Sequence, residues 1–246
     1  MFKKITFFLL ISQIAFAQQS MFSANNKKQL NTSASTTQQS IITGGLLLNL
    51  DASSSISYGG SGSTWSDLSG ANNHATLSGN PVYIATAPGY FTFSGNNDAH
   101  LNFSWPTDFT CSFWIYPISA PGGGFSRIFS TGPSDNFEIA INSANQISYY
   151  SSTVSWQSNK VTVSANTWNQ VVFTKSGGTL QIYINGVNAY TSNLSNTSGS
   201  SLYIGRRYNT SEGVNLRMGS VLIYNRAITG LEVSSNWNGQ KSRFGL

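Results

Sequence analysis

The chain cannot form an internal disulfide, because Cys111 is its only cysteine. Cys111 alternates with aromatic residues in the stretch FTCSFWIYP, and this pattern predicts a small, buried side chain. A catalytic thiol needs a histidine partner, but His74 and His100 both lie in polar, turn-like stretches. The expected role of Cys111 is therefore packing and not catalysis.

Charged residues are also scarce, at 9% of the chain. The formal net charge of +5 is misleading, because four lysines lie before residue 29. From Ile41 onward, nine Lys and Arg face eight Asp and Glu. A nucleic-acid groove needs clustered cations, and the pair Arg206-Arg207 is instead interpreted as a solvated strand end. We expect no nucleic-acid partner.

Long apolar runs are absent, so the sequence predicts no transmembrane segment. The N-terminus has two lysines, the short apolar run ITFFLLISQIAF, and small residues at Ala15 and Ala17. This combination indicates a signal peptide at residues 1–17, with a retained N-terminal anchor as the alternative. A secreted protein, extracellular or at the cell surface, is expected.

Residues 18–40 are polar, aperiodic and rich in Ser, Thr, Asn and Gln. Such a segment cannot bury enough apolar surface to fold alone, which predicts a flexible linker. The folded domain is therefore expected to span residues 41–246.

Within that domain, short alternating runs predict about a dozen strands at intervals of roughly ten residues, typical of a sandwich or jelly roll. The run at 109–118 is apolar on both faces, so it predicts a central strand. Leu46, Leu48 and Leu50 should share one face of the first strand. Gly177-Gly178 and Asn185-Gly186 predict two tight hairpin turns.

One short helix is expected near the C-terminus. Thr229 and Glu232 stand in a capping-box relation, and Asn238-Gly239 is a candidate end of the helix. Its predicted apolar anchors are Leu231, Val233 and Trp237. Because such a helix is unstable alone, it should pack on the end of the sandwich, over a sheet edge or the mouth of the core.

Several motifs in order resemble one known family: GLLLNLDAS, TWSDLSGANNHATL, FSGNNDAHLNF, SFWIYP, TWNQVVFTKSGGTLQIYINGV and the final VLIYNRAITGLEVSSNWNGQKSRFGL. Residues 44–246 resemble the laminin-G-like, concanavalin A-like jelly-roll domains, particularly those of bacterial surface and phage structural proteins. The resemblance implies an all-β fold of two packed antiparallel sheets with one short C-terminal helix. It also implies a binding role without specifying the ligand.

Calcium is a candidate cofactor through this resemblance alone. Asp67 and Asp98 match aspartate positions of the family and are the candidate ligands. Many relatives carry acids before the last strand, whereas this chain has Gly219-Ser220 there. Both aspartates also lie in Gly/Asn turns, where Asp bonds its own backbone, and we favour that structural role.

The same fold hosts β-glucanases, which show the pattern E-x-D-x-x-E or a near variant. None of the eight acids forms this pattern. Glu138 and Glu212 are distant in sequence, and nothing in the sequence indicates that they converge. We therefore predict no catalytic residues.

A binding surface is expected around ISYYSSTVSWQSN, because aromatic rings stack on sugars and polar side chains bond their hydroxyls. Trp156, Tyr149 and Arg127 are the candidate ligand-binding residues, although such aromatics also cap sandwiches structurally. Three hypotheses follow. The first is a secreted, non-catalytic domain for carbohydrate recognition or surface adhesion, with a glycan or surface polysaccharide as partner. The second is a structural domain that binds a protein partner in a surface or phage-like assembly, and the third is a glucanase-type hydrolase.

Overall fold

The computed structural model describes residues 41–118, 124–132, 136–208 and 212–246. The predicted signal peptide and linker lie outside this range. In the described part, strands form two antiparallel sheets of eight strands each, with one α-helix near the C-terminus. Within it, no helix has the length and apolarity needed to cross a bilayer.

The first sheet, sheet A, follows the spatial order β14-β13-β12-β7-β16-β5-β4, and β1 pairs with the remaining length of β16. Its strands are β1 (Leu46–Asp51), β4 (Val82–Ile84), β5 (Tyr90–Phe93), β7 (Phe109–Pro117), β12 (Asn169–Ser176), β13 (Thr179–Ile184), β14 (Val187–Asn193) and β16 (Leu216–Tyr224).

The second sheet, sheet B, follows the order β11-β10-β9-β8-β15-β6-β3-β2. Its strands are β2 (Thr64–Trp65), β3 (Ala75–Ser78), β6 (Asp98–Asn102), β8 (Ser126–Ser130), β9 (Phe137–Ile141), β10 (Gln146–Ser151), β11 (Ser155–Thr162) and β15 (Ser201–Ile204). Alternate residues of both sheets meet in one apolar core.

Strand β7 confirms the prediction of a central strand, since it lies between β12 and β16 and is buried along almost its whole length. The two predicted hairpins are also present, because β12, β13 and β14 pair in sequence. Asn185 and Gly186 adopt positive φ angles of 52° and 80°, as a tight hairpin turn requires.

The prediction for the first strand is wrong at one residue. Leu48 and Leu50 are fully buried in the core between the sheets. Leu46 packs instead against a second apolar cluster, on the outer side of sheet A. The register shifts between Leu46 and Leu48, and this bulge turns Leu46 to the opposite face.

The C-terminal helix, α1 (Gly230–Gln240), has the predicted capping box of Thr229 and Glu232. The predicted position of α1, at the end of the sandwich, is wrong. The helix packs on the outer face of sheet A. Val233 packs there among buried residues of β12, β13 and β16. Trp237 stacks 5.1 Å from Trp114 of β7, at an angle of 11°.

Two further details of the predicted helix are wrong. Leu231 is 85% exposed and anchors nothing, because it lies on the outer side of α1. Asn238-Gly239 does not end α1, which continues to Gln240 and into a 3-10 turn, Lys241–Phe244. That turn places the Phe244 ring 4.0 Å from the Trp114 ring, so the tail covers sheet A as well.

Candidate functional site

The outer face of sheet B carries a continuous line of side chains. The pairing register places one residue from each of its eight strands in a single row: Thr64, Thr76, His100, Tyr203, Ser130, Glu138, Tyr150 and Trp156. With a strand spacing of about 4.8 Å, this row is roughly 34 Å long. In the described part of the chain, α1 and the C-terminal turn cover sheet A, and no helix packs on this face.

The centre of the row is an Arg–Glu network of four side chains, namely Arg127, Glu138, Arg207 and Glu212. The Arg127 Nε atom lies 2.9 Å from Glu138 Oε2, and Arg207 Nε lies 3.0 Å from Glu138 Oε1. Both guanidinium groups also lie 3.4 Å from Glu212 Oε2. The two carboxylates therefore share the same two cations.

The loop after β15 brings the second half of this network into place. It returns beside strand β8, where the Arg127 backbone N–H donates to the Glu212 carbonyl oxygen at 3.2 Å. The prediction that Arg206 and Arg207 form a solvated strand end is wrong, because each pairs with a buried carboxylate. The Arg–Glu network thereby lies between two aromatic regions of the row.

The first region is the Trp156 cluster, made of Phe125, Tyr150 and Trp156. The Phe125 and Trp156 rings are parallel at 5.0 Å, and Tyr150 lies 5.5 Å from Trp156. The Arg127 guanidinium lies 4.7 Å from the Trp156 ring centre, a cation–π contact. All three rings are half-buried, so each remains partly accessible to solvent.

The second region is the Tyr203 cluster, made of His100, Tyr203 and Tyr208. His100 and Tyr203 stack at 5.4 Å with an angle of 17° between the rings. Tyr208 meets Tyr203 edge-on at 5.3 Å. These rings are also half-buried, and they lie on the other side of the Arg–Glu network from the Trp156 cluster.

Only two of the three predicted ligand-binding residues lie on this face. Trp156 and Arg127 are brought into contact, as described. Tyr149 is fully buried and packs edge-on against Phe173 in the core, so it cannot reach a ligand. Burial raises the pKa of the Tyr149 hydroxyl. Its neighbour Tyr150 points outward, because adjacent strand residues face opposite sides of a sheet.

Asp67, the first calcium candidate, has both carboxylate oxygens engaged by its own loop and by strand β1. Its Oδ1 accepts from the backbone N–H groups of Asn49 and Ser69, at 2.8 and 2.9 Å. Its Oδ2 accepts from the Ser69 hydroxyl and the Asn73 backbone N–H, at 2.7 and 3.0 Å. Four donors thus surround the carboxylate, which is the structural role that its turn context predicts.

Asp98, the second calcium candidate, begins strand β6 and does not lie in the predicted turn; it is fully buried beside His100 and Arg206. Its Oδ1 lies 2.6 Å from His100 Nδ1, and its Oδ2 lies 2.6 Å from Arg206 Nε. Calcium requires several oxygen ligands, and the neighbours of both aspartates are hydrogen-bond donors. In the described part of the chain, no three His, Cys, Asp or Glu side chains form a metal-binding group. The residues present do not fit a calcium ion at either aspartate.

Every Asp and Glu side chain of the described residues has a protein partner. Besides those above, Asp51 pairs with Arg243, Asp108 with Lys175, and Glu232 with Arg226. A carboxylate held in this way has little capacity left for an external ligand. The surface that remains for binding is aromatic and hydroxyl-rich.

The comparison with protein families identifies the fold. Residues 85–234, more than half of the chain, match a laminin G family model described as concanavalin A-like lectin/glucanases superfamily. The chain belongs to this superfamily. This lectin-like, two-sheet architecture is the one predicted from the ordered motifs.

Solved structures support the same superfamily fold. A Trypanosoma rangeli sialidase in complex with the inhibitor DANA aligns with a TM-score of 0.63 and 17% identity, over 83% of this chain and 34% of the sialidase. The botulinum neurotoxin type G receptor-binding domain aligns with a TM-score of 0.62 and 16% identity, over 79% of this chain and 51% of that domain.

A structure of botulinum neurotoxin type C, whose cell entry depends on interaction with two ganglioside molecules, aligns with a TM-score of 0.62 and 20% identity, over 79% of this chain and 51% of that one. This chain thus spans about a third of the length of the sialidase and about half of the length of the toxin chains. At these identities the likeness concerns the fold alone. A search of curated protein sequences finds no match.

The sequence did not identify most of the residues that form the outer face of sheet B. Glu138 comes from one part of the chain, and Tyr203, Arg207 and Tyr208 come from another. Glu138 and Glu212 do converge, although nothing in the sequence indicated it. The alternation of each strand shows which residues point outward, but only the register between distant strands aligns them.

Proposed function

We propose that this protein is a non-catalytic carbohydrate-recognition domain whose binding surface is the outer face of sheet B. The observation that carries the proposal is the pairing register, which aligns the Trp156 and Tyr203 clusters on one face, on either side of the Arg–Glu network. Two aromatic regions joined by polar side chains suit an extended chain of sugars. Membership of a lectin-like superfamily and the ganglioside interaction of one structural neighbour support it.

The chemistry of the face favours sugars over apolar ligands. Half-exposed Tyr and Trp side chains combine a flat apolar surface with a polar group, and pyranose rings present both C–H groups and hydroxyls. Tyr150, Tyr203 and Tyr208 each carry a phenolic hydroxyl. These groups provide donors and acceptors beside the aromatic rings.

The same face favours a neutral glycan over an acidic one. Arg127 and Arg207 already bind Glu138 and Glu212 at 2.9–3.4 Å. An acidic sugar would have to displace a glutamate from a guanidinium, at the cost of leaving that carboxylate without its partner. Neutral hydroxyls require no such exchange.

The burial and the ion pairs of Glu138 support a non-catalytic role. A glycosidase needs one protonated carboxyl as general acid and a second, ionised carboxylate. The Glu138 side chain is only 2% exposed, and both of its carboxylate oxygens contact guanidinium groups, at 2.9 and 3.0 Å, so it is not placed to reach a glycosidic bond. The paired glutamates are therefore suited to holding the two arginines, and we assign them a positioning role.

A binding experiment tests the proposal. The purified protein is screened on an array of neutral and acidic glycans, and the best ligand is measured by calorimetry against Trp156→Ala, Tyr203→Ala and the conservative Trp156→Phe. We expect each alanine variant to weaken binding by about tenfold or more, and Trp156→Phe to retain most of it, because a flat ring remains. Thermal unfolding shows that each variant is folded.

Three outcomes would overturn this assignment. Retention of no glycan by the folded wild-type protein would favour the second hypothesis, a structural domain with a protein partner. Binding that both alanine variants leave unchanged would remove the function from this face. Release of reducing sugar from β-glucans by the wild type, abolished in Glu138→Gln, would instead establish catalysis.

We also propose that the domain acts outside the cytoplasm, on the basis of the predicted signal peptide at residues 1–17. Expression of the full chain in a secreting host, followed by mass spectrometry of the exported protein, tests this. We expect a mature N-terminus near Gln18. An exported protein that keeps residues 1–17 would support the retained anchor.

A further inference from the structure

Sheet A carries a separate group of partly exposed side chains beside the region that α1 covers. Arg217 of β16 lies in register with Thr92 of β5 on one side and Tyr116 of β7 on the other. All three side chains are half-buried and lie on the outer face of the sheet. This group is on the opposite side of the sandwich from the proposed glycan surface.

Aromatic rings hold the Arg217 guanidinium in a defined position. Its central carbon lies 4.6 Å from the Tyr116 ring and 5.0 Å from the Tyr90 ring. Both tyrosines meet Trp168 edge-on, at 5.7 and 5.8 Å. Stacking of this kind fixes the plane of the guanidinium while its N–H groups stay available at the edge.

The electrostatic partners of the arginines distinguish Arg217 from the others. Arg127, Arg206, Arg207, Arg226 and Arg243 each pair with a carboxylate. Within residues 41–118, 124–132, 136–208 and 212–246, Arg217 has no carboxylate at ion-pair distance, and its guanidinium makes cation–π contacts with the two tyrosine rings. It is thus a positioned, half-exposed cation whose charge the described residues leave uncompensated.

We propose that Arg217 is a second binding site, which takes the carboxylate of an acidic sugar. A guanidinium presents a planar fork of N–H donors that matches the two oxygens of a carboxylate. Because Tyr90 and Tyr116 already restrict the side chain, little conformational entropy is lost when the fork binds.

The neighbours of Arg217 favour a sugar acid over a simple carboxylate or an acidic peptide. Thr92, Tyr90 and Tyr116 place three hydroxyl-bearing side chains around one guanidinium. A uronic acid offers ring hydroxyls next to its carboxylate, so it can engage both kinds of group. The face of sheet B lacks this preference, because glutamates occupy its arginines.

Nuclear magnetic resonance of the arginine Nε–H groups tests the site directly. The folded protein is titrated with glucuronate, with acetate and with glucose, and the Arg217 signal is assigned by its absence in Arg217→Lys. We expect a saturable shift of the Arg217 signal with glucuronate, an affinity about tenfold or more weaker for acetate, and no shift with glucose. Arg226→Lys serves as the matched control and should bind glucuronate as the wild type does, because Glu232 already occupies Arg226.

Three results would overturn the proposal. A glucuronate titration that leaves the Arg217 signal unchanged, or shifts all arginine signals alike, would remove the site. Equal affinities for acetate and glucuronate would remove the assignment to an acidic sugar. Tighter binding of an aspartate-rich peptide than of glucuronate would replace it with a protein partner. None of these results depends on the glycan surface of sheet B, which Trp156→Ala and Tyr203→Ala probe separately.

Discussion

The guanidinium of Arg127 contacts the ring of Trp156 at 4.7 Å while it also binds the buried carboxylate of Glu138 at 2.9 Å. One side chain therefore supports an aromatic ring at the surface and compensates a charge beneath it. Only 9% of the Arg127 side chain is exposed, so this arrangement is largely shielded from solvent. Stability and the proposed binding surface are coupled through this residue.

The first prediction concerns that coupling. Replacement of Arg127 by Met keeps much of the side-chain volume but leaves Glu138 with one guanidinium fewer. We expect the free energy of unfolding to fall by about 2–4 kcal/mol, because a buried charge loses a partner. The matched control is Arg226→Met, whose pair is about a third exposed and should cost roughly 1 kcal/mol or less. Urea denaturation compares the two variants, and equal losses would contradict the prediction.

The second prediction concerns acid. Hydrogen bonds lower the pKa of Glu232 from 4.5 to about 2. The largest effect comes from the Arg226 side chain, and the second largest comes from the Thr229 backbone N–H. A folded-state pKa below the unfolded one gives stability that is present above pH 4.5 and is lost as the pH falls toward 2. Partial exposure reduces this contribution to roughly 1 kcal/mol.

The variant Glu232→Gln tests it, because glutamine keeps the capping geometry without the charge. The wild type should exceed the variant in unfolding free energy at about pH 7, and the difference should vanish near pH 2. A difference that persists at the lower pH would show that the charge of Glu232 is not its source.

The third prediction compares two glycines at neighbouring turns. Gly186 has a φ angle of +80°, and a Cβ added there would lie 2.9 Å from the Trp237 ring. Gly186→Ala should therefore cost about 2 kcal/mol or more, from backbone strain and from displacement of Trp237. Gly178→Ala meets nothing within 4 Å and should lie within about 0.5 kcal/mol of the wild type. Thermal unfolding measures both, and equal values would refute the contact of α1 with this turn.

The fourth prediction concerns Cys111, which is fully buried, as the sequence predicts. Burial raises the pKa of its thiol far above the ordinary value. We expect no reaction with a thiol reagent in the native state, and full reaction in denaturant. The labelling rate should follow global unfolding as denaturant increases. Rapid labelling without denaturant would place Cys111 outside the core.

Local patterns predicted much of the fold. The central strand at Phe109–Pro117, the hairpins at Gly177-Gly178 and Asn185-Gly186, and the capping box at Thr229 each depend on residues close in sequence. The position of α1 depends on tertiary packing, and there the prediction was wrong. Trp114 provides an apolar contact on the outer face of sheet A for Trp237 of α1 and for Phe244. The residues around Trp114 in the sequence do not show that the helix packs there.

The candidate site was less predictable for the same reason. Trp156 and Arg127 were identified from composition, but their contact depends on strands β8 and β11, which lie three positions apart in sheet B. Tyr149 and Tyr150 are adjacent, and the sequence alone did not decide which one points outward. The alignment of Glu138 with Tyr203 requires the pairing of β15 with β8, a long-range contact that no local pattern encodes.

Strand β16, the last strand of the chain, lies in the middle of sheet A, where it pairs with β1, β5 and β7. Its pairing of Tyr224 with Leu46 joins opposite ends of the domain. A polypeptide still emerging from the ribosome has no such strand to insert, and β7 remains open along one side. The sandwich thus closes only after synthesis of the domain is essentially complete, and such long-range closure is intrinsically slow.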